Sequence, residues 1–299
     1  MRKNRTAGFA VIVMIYIIAV SIGVVFYCAF PALHLFMRIL IGDVCATVFV
    51  FLAGVVLQNA SVYDPYWSVA PVAVFTGVAA DSGGTDTGVI LLLIAVWYWG
   101  VRLTLNWSHT FKNLATQDWR YSIYKNKYPR SFQAISFFGI NMFPTVVVYL
   151  CMLPGIAFIR ENACNSLTLI GFLVCTGATT LQLIADIQMH RFRHRNSGSN
   201  RIIRSGLWKH SRHPNYLGEI LMWWGVLIIM LSYTPHRWIL GIGPLANTLM
   251  FLFVSIPMAD KRNRALRPGF DEYVRETNNL LPIKLTAFMR DGQAEDVEN

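Results

Sequence analysis

Between Gln182 and Glu219 the chain gathers side chains that could hold a charged ligand. The segment 186–213 carries seven Lys/Arg (Arg191, Arg193, Arg195, Arg201, Arg204, Lys209, Arg212) against one acid, Asp186. Arginine guanidinium groups match phosphate oxygens in pairs, while carboxylates and amides suit ribose hydroxyls or a carboxamide. At 100° per residue, Gln182, Asp186, His190 and Arg193 fall within roughly 80° of one another on a helix. The next apolar run places Asn215, Glu219, Met222 and Trp223 on one face. Ionisable groups inside apolar runs generally face a protein interior or cavity and serve a function. Two helices therefore carry polar stripes, with the cationic "SRHPNYLGE" loop at the mouth of a pocket for an anionic, polar-headed cofactor. Pro214 suits the first turn of the second helix, where its missing N–H is not needed. A basic loop touching anionic lipid heads accounts for the charge count alone; the ordered stripes go beyond it.

A second set of reactive groups stands in "SVYDPYW", residues 61–67. Tyr63 and Asp64 are candidate proton donors, because burial raises a carboxyl's pKa until it can hold a proton to give. The plainer account is an interfacial aromatic with a helix-capping Asp. Trp67, Trp97 and Trp99 are of the type to line a flat apolar ligand. Asp118 and Arg120 in "QDWRY" either form a structural ion pair, the favoured reading, or contact the cofactor. His190/His194 and His210/His213 have spacings that metal ligands use, yet no HxxHH box accompanies them, so no metal is expected.

The elements that must position these groups are read from composition. The 299 residues are 55% hydrophobic and only 14% charged, with mean hydropathy +0.44; soluble domains carry about 25% charged residues. Apolar segments near 9–30, 39–58, 66–80, 88–105, 137–159, 166–185, 216–233 and 237–257 predict an all-α polytopic bundle of about eight transmembrane spans. The third is short and begins after Pro65. The first is too long for a signal-peptide core and lacks a small-x-small cleavage site. Lys and Arg concentrate in the N-terminus, the 106–131 loop, the 186–215 loop and the tail. By the positive-inside rule eight spans put both termini in the cytoplasm, with a C-terminal cofactor pocket on that side. The net charge of +10 reflects these loops and implies no nucleic acid. Cys28, Cys45, Cys151, Cys164 and Cys175 show no CxxC spacing and imply neither disulfides nor zinc. No GxGxxG or GxxxxGK[ST] occurs, which excludes Rossmann and P-loop sites. The chain divides into N-terminal helices (1–58), a main membrane domain (59–285) and an acidic tail (286–299).

"GLWKHSRHPNYLGEILMWWG" (206–225), preceded by "ADIQMHRFR" and followed by "SIPMADKRNRALRPGFDEYVRETNNLLP", resembles the steroid 5-alpha-reductase-like membrane family, in its bacterial-type branch. "SVYDPYWSVAP" and "QDWRY" strengthen the likeness, which spans roughly residues 55–285. Isoprenylcysteine carboxyl methyltransferases share an RHPxY segment and are more distantly similar. The resemblance implies an NADPH-dependent reductase of an activated carbon–carbon double bond in a steroid-like, isoprenoid or fatty acyl lipid. It puts Gln182, Asp186, Arg193, Arg212, His213, Asn215, Tyr216 and Glu219 at the cofactor, with Arg262, Glu272 and Tyr273 in a C-terminal block that closes the site. Gln182 replaces the Asn or Glu of relatives, and Asp260 replaces a commoner Glu. An S-adenosylmethionine-dependent methyltransferase and a non-catalytic sterol-binding protein are the alternatives. The expected partners are the lipid substrate and membrane lipids, in the endoplasmic reticulum of a eukaryote or the inner membrane of a bacterium.

Overall fold

The computed structural model describes residues 2–84, 86–161 and 164–282; the acidic tail expected at 286–299 lies outside them. The described residues are helical, with no β-strand beyond a single bridge between Ser211 and Asn278. The helices are α1 (Arg5–Ala29), α2 (Leu35–Val56), α3 (Tyr66–Asp81), α4 (Thr87–Thr110), α5 (Trp119–Lys127), α6 (Phe132–Ile135), α7 (Phe143–Ile159), α8 (Ser166–Arg195), α9 (Pro214–Leu231), α10 (Ile242–Met250), α11 (Ile256–Leu266) and α12 (Phe270–Glu276). Two π-helical turns, Ser136–Met142 and Phe251–Ser255, run into α7 and α11. Each ends just ahead of a proline, Pro144 or Pro257. A proline ring clashes with the carbonyl four residues back and offers no N–H, and widening the preceding turn accommodates both defects.

All eight apolar segments form helices. Among the described residues seven are long and apolar enough to cross a membrane, with α6–α7 and the stretch Pro235–Leu266 each counting as one. The eighth, α3, has 16 residues, about 24 Å at 1.5 Å per residue. Its start lies within the bundle, where the Val62 carbonyl just ahead of it accepts from Tyr16 near the middle of α1 (2.9 Å), and its end lies at one end of the bundle. Arg2 Nη2 donates to Leu57 O (2.6 Å) and Arg5 Nη2 to Ser108 O (3.1 Å), gathering the start of α1 and the ends of α2 and α4. At the opposite end Tyr27 donates to Asp81 Oδ2 (2.8 Å) and Arg38 Nε to Tyr27 O (3.0 Å), gathering the end of α1, the start of α2 and the end of α3.

The chain folds as two compact units: Met1–Leu173 with Trp224–Ala246, and Val174–Trp223 with Asn247–Asn299. In the first, α1 and α2 cross where Gly23 faces Gly42. A Cβ on Gly42 would lie 2.7 Å from Gly23 O, so only glycine permits this approach. The second holds the C-terminal part of α8, the start of α9, and α11 and α12.

Candidate functional site

In the second unit α8 continues unbroken to Arg195, so the stripe read from the sequence lies on one helix. Gln182 is 1% exposed, Asp186 and His190 are half-buried, and Arg193 is exposed. The stripe thus climbs from the apolar interior to the polar surface. At its outer end Arg193 feels the charges of Asp186 and Arg262. Arg267, just past α11, joins them: its pKa is lowered first by burial and then by the positive charges of Arg193 and Arg262. Three guanidinium groups held near one another repel, and an anion of two or more charges relieves that repulsion. Arg193 and Arg262 were expected here. Arg267 was not, and its signal was the basic run "DKRNRALR" at 260–267.

The RHPNY segment is built as a clamp. Asp260 on α11 receives Arg212 Nη2 on one oxygen (3.2 Å) and stands 2.9 Å from His213 Nε2 on the other. Arg212 also donates to the Thr277 carbonyl, and its backbone N–H donates to Asn278 O (2.9 Å), tying down the chain beyond α12. His213 stacks on Tyr216 with centroids 5.1 Å apart and planes at 6°, and Tyr216 meets Phe251 at 4.8 Å. Pro214 opens α9 as expected. The Asn215 side-chain oxygen is buried without a partner, an acceptor that suits a hydroxyl or carboxamide donor. Glu219, 6% exposed, accepts from Trp223 Nε1 at 3.1 Å. Asp260 stood out only as a departure from the family pattern; it is the shared acceptor of the whole clamp.

The C-terminal block closes on the same region. Tyr273 donates to the Trp208 carbonyl, and burial pushes its hydroxyl up to about 12 against the pull of Arg212 and Arg204. Glu272 pairs with Arg204 at 2.8 Å on the surface. Gly218 sets the α8–α9 distance: a Cβ there would meet Gln182 Cγ at 2.5 Å and Ala178 O at 2.6 Å. Gly218→Val is therefore expected to destabilise the second unit by about 1–3 kcal/mol through overpacking. Thermal unfolding of the purified variant checks this; an unchanged melting temperature would mean the helices separate freely.

In the first unit, a largely apolar cavity of about 360 Å³ is lined by α1, α2 and α3, within the ~300–1,000 Å³ of small-molecule sites. Asp43, on α2, is 7% exposed and lines this cavity. Tyr66 donates to Asp43 Oδ1 at 2.7 Å and lines it too. Neither was singled out from the sequence, although a lone carboxylate in the run 39–58 was the signal. Tyr63 stacks on Tyr66, centroids 5.3 Å apart, and its hydroxyl shares a 2.8 Å hydrogen bond with Thr145 Oγ1. Tyr63 and Asp64 are not among the cavity's lining residues. None of Trp67, Trp97 and Trp99 lines it either: Trp99 is fully buried and Trp97 donates to Thr76 Oγ1 at 3.0 Å.

Asp64 accepts from the Tyr121 hydroxyl at 2.8 Å, beside the expected Asp118–Arg120 pair, also 2.8 Å. Burial pushes its carboxyl up to about 7, against the downward pull of Arg120 and of hydrogen bonds from Tyr121 and Ser61. The folded state then binds more protons than the unfolded chain between about pH 4 and 7, so this carboxyl's contribution to stability falls as pH rises across that window. Asp64→Asn, which keeps an acceptor for Tyr121, is expected to flatten the decline in melting temperature between those pH values. Equal slopes in variant and wild type would show that Asp64 is not the group responsible.

No curated protein and no solved structure matches the chain. A family model described as "Protein of unknown function (DUF1295)" matches residues 50–277. That match takes in the cavity wall at Tyr66, the α8 stripe, the RHPNY clamp and the three arginines, and the chain, a helical membrane protein, belongs to the DUF1295 family.

Proposed function

We propose that the protein is a membrane-embedded, NADPH-dependent reductase of the steroid 5-alpha-reductase-like kind, which saturates an activated carbon–carbon double bond in a lipid. The observation that carries this reading is the Arg193–Arg262–Arg267 cluster at the outer end of the α8 stripe. Three cations suit the phosphates of NADPH, its 2′-phosphate included. Deeper along the same face, Gln182 and Asp186, and on α9 the unpartnered Asn215 oxygen, offer amide and carboxylate contacts for ribose and carboxamide. The residues present therefore fit the cofactor. When bound, NADPH supplies a hydride.

The chain's own part is recognition, polarisation and proton supply. The α1–α3 cavity, apolar apart from a few hydroxyl and carboxyl groups, takes the lipid. The Tyr66 hydroxyl, whose one hydrogen is held by Asp43 Oδ1 when the cavity has no lipid, turns that hydrogen bond to the substrate carbonyl when the lipid enters. Tyr63, stacked on Tyr66, is a positioning residue. Asp64, with its carboxyl near neutrality, is the candidate reservoir for the proton that the reduced carbon takes up. Such a reduction would add the hydride at the carbon β to the carbonyl and a proton at the α carbon, leaving the saturated ketone or acyl product. Both termini are assigned to the cytoplasm, because the basic loops then all lie there.

The test is to supply the purified protein in detergent with NADPH and enone lipids of steroid, isoprenoid and fatty acyl type. Enone-dependent oxidation of NADPH with formation of the saturated product is expected for at least one class. Methyl transfer from S-adenosylmethionine would replace this reading with that of the isoprenylcysteine methyltransferases. A lipid bound but never turned over would reduce it to a binding protein.

A further inference from the structure

The first unit contains a second cavity, of about 330 Å³, at the end of the bundle where the N-terminus lies. Unlike the α1–α3 cavity it is polar as well as apolar, with Phe51, Gln58, Lys125, Gln133, Ser136 and Asn141 on its wall. Asn141 is 2% exposed. Its side-chain N–H donates to Ser136 O at 2.7 Å, which fixes the orientation of the amide, and the oxygen on its other arm is buried without a partner. An acceptor left in that state is destabilising, and a ligand donor would relieve it. One cation lines the cavity, and a second, Arg2, is off its wall but bonds to the wall residue Gln58. Lys125 lines the cavity, its ammonium 6.0 Å from the Phe132 ring centre. Arg2 reaches Leu57 O at 2.6 Å and Gln58 Oε1 at 3.4 Å.

The backbone around the cavity is also irregular. Gln58 has φ 52°, in the left-handed region, and Asn141 sits in the π-helical turn Ser136–Met142. Such features persist where the surroundings hold them and gather at ligand sites. Alongside, α2 leaves Leu52 and Val56 exposed, at 53% and 81%, as a helix facing acyl chains does.

We infer that this cavity binds a phosphoester head group with a neighbouring N–H or O–H donor, as in an ethanolamine or glycerol phospholipid. The phosphate meets Lys125, with the charge of Arg2 behind Gln58, the donor meets the Asn141 oxygen, and the acyl chains run along α2. This inference does not rest on the reductase reading.

The test is thermal unfolding of the full chain in detergent with four probes: phosphatidylethanolamine, phosphatidylglycerol, uncharged diacylglycerol and soluble glycerophosphoethanolamine. The two phospholipids are expected to raise the melting temperature where diacylglycerol does not. Lys125→Ala, an exposed change that leaves the core intact, is expected to weaken that response about tenfold, the worth of one charge-assisted hydrogen bond. Asn141→Leu should weaken the ethanolamine and glycerol lipids alike. If glycerophosphoethanolamine matches its lipid, the ligand is a free phosphoester; if it is much weaker, the ligand comes from the bilayer. Equal stabilisation by diacylglycerol, or wild-type affinity in Lys125→Ala, would overturn the inference.

Discussion

Asp260→Ala is expected to cost the protein about 3–5 kcal/mol, the range for a buried ion pair that loses one partner. The side chains of Arg212 and Asp260 are 10% and 14% exposed, so solvent cannot take over from the missing carboxylate. The same change strips His213 of its 2.9 Å partner. Because Arg212 also holds the Thr277 carbonyl and Asn278, the segment after α12 should loosen, seen as faster hydrogen exchange there. Removing both charges together, as Asp260→Leu with Arg212→Met, should recover much of the loss, since an apolar pair of similar volume leaves no charge stranded. Denaturant unfolding in detergent decides it. A loss for Asp260→Ala below about 1 kcal/mol, the level of an exposed pair, would mean the clamp does not hold the second unit together.

The second large effect concerns Tyr66. On the proposed function its hydroxyl faces the substrate carbonyl, and Tyr66→Phe should lower kcat by about 10²–10³-fold with little change in KM, as loss of one preorganised donor does. The substitution also leaves Asp43 without its 2.7 Å donor, which costs about 1–3 kcal/mol of stability. Rates must therefore be compared per folded molecule. Asp43→Asn keeps an acceptor for Tyr66 and should be the milder change. If Tyr66→Phe turns over at the wild-type rate once corrected for folded fraction, the pair is structural and the polarising group lies elsewhere.

The membrane helices were legible because length and apolarity in the bilayer leave little choice of structure. Even α3, shorter than the rest, was marked by Pro65 and the run to Ala80. The α8 stripe was legible for a related reason: Gln182, Asp186, His190 and Arg193 share a face by helical geometry alone. What the sequence did not disclose were partnerships between distant segments. Asp43 and Tyr66 are 23 residues apart on different helices, and Asp260 meets the RHP turn across 47 residues. No local period connects such residues. Arg267 was hidden for another reason, since it follows the end of α11, where helical spacing no longer says which way a side chain points.

The central claim, that the arginine cluster holds a phosphorylated nicotinamide nucleotide, is tested most directly by equilibrium affinities. NADPH and NADH would be titrated into the purified wild type and Arg193→Ala at matched folded fraction. Wild type should favour NADPH by about 10–100-fold, since a hydrogen bond to a charged group contributes about 1.5–3 kcal/mol. Arg193→Ala should shrink that preference while leaving NADH affinity nearly unchanged. Equal affinity of the wild type for the two nucleotides, or binding of S-adenosylmethionine and neither of them, would contradict the account.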